Sequence, residues 1–303
     1  MTDAGSVRWS LIVPSYNGED TLPDCLASLA EIVRTADAVE AIVIDNASTD
    51  GTARLLQDFA ARSGALFLSE PLSGKSNALN AAIEHARGEM LLFLDDDVIA
   101  DPRLVDAYAA AERSFPDAAV FAGQVRPGWR APAPGWLQAL TDEGRSCGCT
   151  PLALQAGRLD ARHVKGANMA IRRSALGAAR FSTGSVNFGA TAQAIGGEDS
   201  ELVRRLGGEG GIRYVQEATV RHLVSADEMR WKAVFARYVR IGRGNAAQSL
   251  SGRSIVPVAA RAAARAALAA LAFALGRKTV AARHGVQLAM RIGALDYLTR
   301  KQA

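Results

Sequence analysis

Met90-Leu91-Leu92-Phe93-Leu94-Asp95-Asp96-Asp97 passes from five consecutive apolar residues straight into three carboxylates. An apolar run of that length, closed by polar residues, reads as a strand buried on both faces. Four more short runs of this kind lie at 9–13, 41–44, 65–68 and 119–122, most with β-branched residues or Phe. Helical stretches fall between them, near 19–34, 50–62, 75–87 and 101–114. This β-α-β-α rhythm predicts an α/β fold with a mostly parallel central sheet flanked by helices. Sites in such sheets form beyond the carboxyl ends of the strands. The residues that follow each apolar run are therefore the candidates for chemistry.

Three acids after a buried strand are costly unless something positive meets them. A hard divalent cation with attached phosphates suits that chemistry, since Mg2+ or Mn2+ is held by one or two carboxylates plus substrate oxygens. In an extended chain Asp95 and Asp97 point to the same side and act together. The plainer use, capping of the next helix, is already served by Asp101-Pro102. The first strand ends in Val13-Pro14-Ser15-Tyr16-Asn17 and the second in Ile44-Asp45-Asn46-Ala47-Ser48-Thr49-Asp50-Gly51-Thr52. A polar pair after a strand reads a base edge or a ribose, while Ser48 or Thr49 with Asp50 also fits ordinary capping. Gly74-Lys75-Ser76-Asn77 opens a helix and suits phosphate or base. It is not a P-loop, because the upstream glycine is absent.

These blocks, with Gly166-Ala167-Asn168-Met169-Ala170-Ile171-Arg172-Arg173 and Gly197-Glu198-Asp199-Ser200-Glu201-Leu202, resemble the family 2 glycosyltransferases in order and spacing over roughly residues 8–224. The resemblance implies a GT-A (Rossmann-like) fold, a nucleoside-diphosphate sugar donor with UDP foremost, and inversion at the anomeric carbon. It places Asp97 as ligand to Mn2+ or Mg2+, Asp96 at the ribose, and Asp95 supporting the site or touching the sugar. Asp45, Asn46 and Lys75 fall where the family reads the base, with Pro14 and Tyr16 flanking it. Asn46 departs from the pattern, because many members carry Asp there. Asp199 matches the catalytic base, with Glu198 in support, and His222 a ligand of metal or diphosphate. In Arg237-Tyr238-Val239-Arg240-Ile241-Gly242-Arg243, the guanidinium groups of Arg240 and Arg243 would bind diphosphate or an anionic acceptor, or face solvent or lipid headgroups. The Gln-x-x-Arg-Trp motif of the membrane-channel members is missing. This favours addition of one sugar to a glycan or lipid-linked acceptor in envelope or exopolysaccharide assembly. The competing readings are a nucleotidyltransferase of related layout, and a non-catalytic nucleotide- or glycan-binding module.

Composition sets the remaining bounds. The 303 residues are 49% hydrophobic and 22% charged, which suits a globular chain with a large core. The expected division is a glycosyltransferase domain over 1–228, with a nucleotide-binding half at 8–125 and an acceptor-side half at 126–228, followed by a basic, amphipathic helical extension over 229–303. The Pro/Gly-rich stretch 127–135 is expected to be a loop, and acceptor choice is expected from 123–165 and 182–196. Residues 230–303 carry fourteen Lys/Arg against the single acid Asp296, whereas the preceding residues hold 21 basic and 30 acidic side chains. Such a tail suits an anionic membrane surface. It lacks the interleaved aromatics of a nucleic-acid binder. Its helices are expected over 257–275 and 278–299, with Arg261 and Arg265 on one face. The longest uncharged apolar run there is eleven residues, Ala266–Gly276, short of the roughly 20 that span a bilayer. Three cysteines give no disulfide framework, Cys147-Gly148-Cys149 lacks zinc-site spacing, and Met1–Ser10 shows no basic-then-apolar signal pattern. A cytoplasmic protein, peripheral at the inner face of the membrane, is the expectation.

Overall fold

The computed structural model describes residues 7–183, 198–207, 211–249 and 255–300. In chain order the elements are β1 (Trp9–Ser15), α1 (Leu22–Thr35), β2 (Val39–Asp45), α2 (Thr52–Ser63), β3 (Leu66–Ser69), α3 (Lys75–His85), β4 (Met90–Leu94), β5 (Val98–Ala100) and α4 (Leu104–Ser114). There follow β6 (Val120–Trp129), α5 (Gly135–Asp142), β7 (Gly157–Arg158), β8 (Asn168–Arg172), α6 (Arg173–Leu176), α7 (Glu198–Leu206) and β9 (Ile212–Val224), and last α8 (Trp231–Ser249), α9 (Val256–Ala274) and α10 (Lys278–Arg300). The strands form one sheet in the order β3-β2-β1-β4-β8-β6-β9-β5, with β7 also paired to β9. β1 to β4 run parallel, β8 is antiparallel to both its neighbours, and β6 and β9 are again parallel. The expected α/β sheet is therefore present, and all five predicted strands belong to it.

Period-two alternation distributes the core between the two faces. Leu11, Val13, Val43 and Leu92 pack with Leu22, Leu56 and Leu104 of α1, α2 and α4. Their sequence neighbours Ile12, Ile42, Ile44 and Phe93 pack with Leu79 and Ile83 of α3 and with Leu202 of α7. Because both faces are covered, the central strands read as continuous apolar runs. The parallel strands β1, β2 and β4 all end at one edge, which brings Ser15, Asp45 and Asp95 to the same rim.

The structure amends two expectations. The stretch 127–135 is not wholly a loop, since β6 continues to Trp129 and pairs Pro127 with His222 of β9. Its other neighbour, β8, pairs only as far as Ala122, so beyond that point β6 has an open side on which a proline without N–H is tolerated. The other amendment concerns α9. By length and composition Val256–Ala274 is apolar enough to cross a membrane. Its alanines and leucines outweigh Arg261 and Arg265, which interrupt the uncharged run without lowering the average enough.

The last three helices pack through small residues. A Cβ on Gly242 of α8 would strike the Met290 carbonyl of α10, and one on Gly293 of α10 would strike the carbonyl of Val239. Gly285 lies flat against the Trp231 ring. α10 buries a stripe of Ala282, Gly285, Val286, Ala289, Gly293 and Leu298 at helical spacing.

Candidate functional site

The three carboxylates after β4 do not lie on an extended chain, as their alternation required. They occupy a turn between β4 and β5, and each side chain meets a different partner. Asp95 Oδ1 accepts a hydrogen bond from Lys75 Nζ at the start of α3. Asp96 Oδ2 accepts one from Ser15 Oγ at the end of β1. Asp97 Oδ2 lies 2.9 Å from His222 Nε2. The last pair is fixed by strand register, because β5 places Val98 opposite His222 of β9 and the Leu223 N–H bonds the Asp97 carbonyl at 2.7 Å. The histidine of β9 and the acid of the β4–β5 turn are 125 positions apart, yet the sheet brings them together.

Crowding of like charges shows in their ionisation. Burial pushes the Asp96 carboxyl up to about 7, and the neighbouring Asp97 and Asp95 charges add to it against the Ser15 hydrogen bond and Lys75. Burial acts on Asp97 in the same direction, but the His222 charge and hydrogen bond, with Lys75 and Arg237, more than offset it and hold this acid below its ordinary range. For His222, burial favours the neutral ring, and the Asp97 charge and hydrogen bond reverse that so that the imidazole is raised.

Asp199 sits at the start of α7 beside Gly166. A Cβ built on Gly166 would overlap Asp199 Oδ2, and its three nearest neighbours are all atoms of that carboxyl group. Burial raises the Asp199 carboxyl above its ordinary value, with the Lys75 charge opposing and the Asp95 charge adding. The Asp199 carboxylate thus belongs to the same charge network as the β4–β5 turn. Gly197 and most of the stretch 182–196 lie outside the described residues, as does the side chain of Glu198.

Three polar atoms in this network are buried without any hydrogen-bond partner: Asp97 Oδ1, His222 Nδ1 and Asp199 Oδ1. Among the described residues no group of three or more His, Cys, Asp or Glu side chains is placed to hold a metal. The Asp97 carboxylate, with Oδ1 left over, and the His222 Nε2 that faces it nevertheless fit a hard divalent cation that takes its other ligands from a substrate diphosphate.

The rim residues divide by what they touch. Asp45 is buried at the end of β2 and accepts the Ser48 N–H at 3.3 Å. Pro14 is buried within β1, and Tyr16 follows it half-buried. Asn46 does different work from the base reading expected of it, because it is 0% exposed and its amide is fully engaged. Its Nδ2 donates to the carbonyls of Glu70 and Leu72 at 3.1 and 2.7 Å, and its Oδ1 accepts the Gly74 N–H at 2.8 Å. Asn46 therefore fixes the loop that delivers Lys75. Replacing it with Ala would leave the buried Gly74 N–H unpaired and take a donor from the Glu70 and Leu72 carbonyls, and we expect a stability loss of about 1–3 kcal/mol, measurable by urea titration.

The arginines of α8 also separate. Arg243 Nε bonds Asp296 Oδ2 of α10 at 2.5 Å, an ion pair between helices rather than the diphosphate contact expected. Arg237, which pairs with Glu228 at 2.8 Å, is the α8 guanidinium whose charge acts on Asp97 and His222. Arg240 is half-buried on the same helix. Lys165 precedes Gly166 and carries its charge near Cys149. Its burial holds the ammonium below its ordinary range, and no motif in the sequence marks it.

Comparison with known proteins places this geometry. The model of the family described as Glycosyl transferase family 2 matches residues 10–178. An uncharacterized glycosyltransferase, YfnE of Bacillus subtilis, is 34% identical over 109 residues, covering 36% of this chain and 28% of YfnE. An undecaprenyl-phosphate 4-deoxy-4-formamido-L-arabinose transferase of Pseudomonas fluorescens is 33% identical over 108 residues, covering 33% of this chain and 32% of that protein. The chain thus spans less than a third of the length of these curated relatives. The mannosyltransferase PcManGT of Pyrobaculum calidifontis, solved in complex with GDP-Man and Mn2+, shares the fold with a TM-score of 0.65 at 20% identity, over 98% of this chain and 88% of that one. The family match takes in β1 to β8, more than half of the chain and every strand but β9, and so the protein belongs to the family 2 glycosyltransferases.

Proposed function

We propose that this glycosyltransferase moves a sugar from a nucleoside-diphosphate sugar, with UDP the first candidate, to a hydroxyl of a glycan or lipid-linked acceptor in envelope or exopolysaccharide assembly. The observation that carries the reading is the set of buried, partnerless atoms on Asp97, His222 and Asp199, tied together by the charges of Lys75 and Asp95. Buried polar atoms are otherwise nearly always satisfied. A substrate site is where such atoms are kept for an incoming group.

In this reading Asp97 and His222 hold a Mn2+ or Mg2+ ion, which when bound would neutralise charge on the departing diphosphate. Asp96 contacts the ribose, while Asp95 supports the site by holding Lys75, which serves in reading the base. Asp45 lies at the base, flanked by Pro14 and Tyr16. Arg237 and Arg240 supply guanidinium groups for diphosphate or an anionic acceptor. Asp199 accepts the proton of the acceptor hydroxyl as that oxygen bonds to C1 and the bond from C1 to the diphosphate oxygen breaks. Attack from the face opposite the leaving group inverts C1. A glycosyltransferase domain to about residue 228 and a helical extension beyond it remain our division of the chain, supported by the run of three helices after β9. Three buried free cysteines are consistent with a reducing cytoplasm.

The test is an assay of the purified protein with UDP-, GDP- and dTDP-sugars, with and without Mn2+. Hydrolysis or transfer from at least one donor is expected. Inactivity toward all of them, together with pyrophosphate release from a nucleoside triphosphate, would replace this reading with nucleotidyl transfer.

A further inference from the structure

α9 is the element whose packing least matches its composition. It is nineteen residues long and strongly apolar, yet few of its residues are buried. A core helix of this hydropathy would be covered on most sides. Here only Val258, Ala262 and Ala272 are buried, while Leu268, Leu271, Phe273 and Leu275 are 42%, 57%, 72% and 63% exposed. Apolar surface of that extent on one helix marks an interaction face.

The charges on α9 are placed on one side. Arg265 NH1 lies 3.1 Å from His284 Nδ1 of α10, so this arginine is turned toward the protein. At 3.6 residues per turn, Val258, Ala262, Arg265 and Ala272 share a face with Arg261 at its border. The opposite face, through Ala260, Ala264, Ala267, Leu271 and Ala274, carries no charge. A helix crossing the bilayer would take both guanidinium groups into hydrocarbon, where a charged side chain is costly. A helix lying in the interface leaves them at the headgroups.

The surroundings match that position. The C-terminal end of the helix is followed by exposed Arg277 and Lys278, within a segment of fourteen basic residues and one acid. An apolar groove of about 560 Å³ adjoins α9, walled by Trp136, Trp231, Phe235, Phe273 and Leu288. The two tryptophan rings meet edge-to-face at 5.4 Å, and tryptophan is favoured where hydrocarbon meets headgroups. A second copy of the chain would bring the same basic segment against itself, whereas an anionic surface complements it.

We propose that α9 is a membrane-interfacial helix, its uncharged face seated at the headgroup–acyl boundary of an anionic bilayer, with Arg265 on the protein side and Arg261 at the headgroup border. The test is flotation of the full chain with phosphatidylcholine vesicles, with and without about a third phosphatidylglycerol. Wild type is expected to float with the anionic vesicles, and Leu271→Glu/Leu275→Glu to lose at least about tenfold in affinity. Arg277→Gln/Lys278→Gln is expected to lose the anionic preference and the salt sensitivity. Both pairs are exposed, and none of the four residues belongs to the donor site, so nucleotide binding by the variants reports folding independently. Unchanged flotation of the Glu variant would overturn the proposal. So would a wild-type dimer in sedimentation that ignores vesicles and dissociates in that variant, since α9 would then face a second copy.

Discussion

Asp199→Asn is expected to cut sugar transfer by about a hundred- to ten-thousandfold, the range typical of a general base, while donor nucleotide binding stays as in the wild type. The amide keeps the shape of the carboxylate and its fit against Gly166, and loses only the ability to accept the proton. Single-turnover transfer with whichever donor the nucleotide-sugar assay selects, alongside nucleotide titration, separates the two effects. The pH profile gives a second readout. Burial holds the Asp199 carboxyl above its ordinary range, and the base works only when ionised. Transfer should therefore fall as pH drops through an apparent pKa above that of a free carboxylate, and the residual activity of Asp199→Asn should lack this limb. Wild-type rates in Asp199→Asn would remove Asp199 from the mechanism.

Gly166→Ala is expected to be nearly as damaging, though the substituted residue has no chemistry of its own. All three atoms that the new Cβ would meet belong to the Asp199 carboxyl group. That group must swing away, because a carboxylate on a side chain yields before the backbone of β8's approach does. The fold should survive with a small change in melting temperature, since the clash involves a side-chain end. Additivity decides whether the effect runs through Asp199. If it does, adding Gly166→Ala to Asp199→Asn lowers transfer little further. Fully multiplicative losses would show that the alanine acts elsewhere.

Much of this architecture was legible in the sequence because parallel strands buried on both faces write themselves as uninterrupted apolar runs. β1 to β4 and the start of β6 were found that way, as were α1 to α4 from the segments between. The later strands were harder. β9 is thirteen residues long, but Arg213, Gln216, Glu217 and Arg221 interrupt its apolar pattern, since only the short strands β7 and β5 cover its outer side. β5 and β7 are too short to carry a period at all.

The site divided along similar lines. Asp97 and Asp199 follow from their motifs, but their partners are set by long-range pairing. Nothing local to His222 indicates that strand register will place it on Asp97. Asn46 illustrates the opposite failure. A polar residue at a strand end reads as a ligand contact, yet its amide is consumed by the loop that carries Lys75. Arg240 and Arg243 look equivalent in sequence, and only the packing of α10 against α8 gives Arg243 to Asp296. α9 shows how an average can outweigh a run. Counting uncharged residues stops at the arginines, whereas the bilayer responds to which face they occupy.

The central claim, a metal-assisted nucleotide site built on Asp97 and His222, is tested most directly by calorimetric titration. UDP, GDP and dTDP would be titrated with and without Mn2+ into wild type and Asp97→Ala. Binding of one nucleotide that requires the metal in wild type and is lost in Asp97→Ala is the expected result. Binding that is indifferent to metal and unchanged in Asp97→Ala would contradict it.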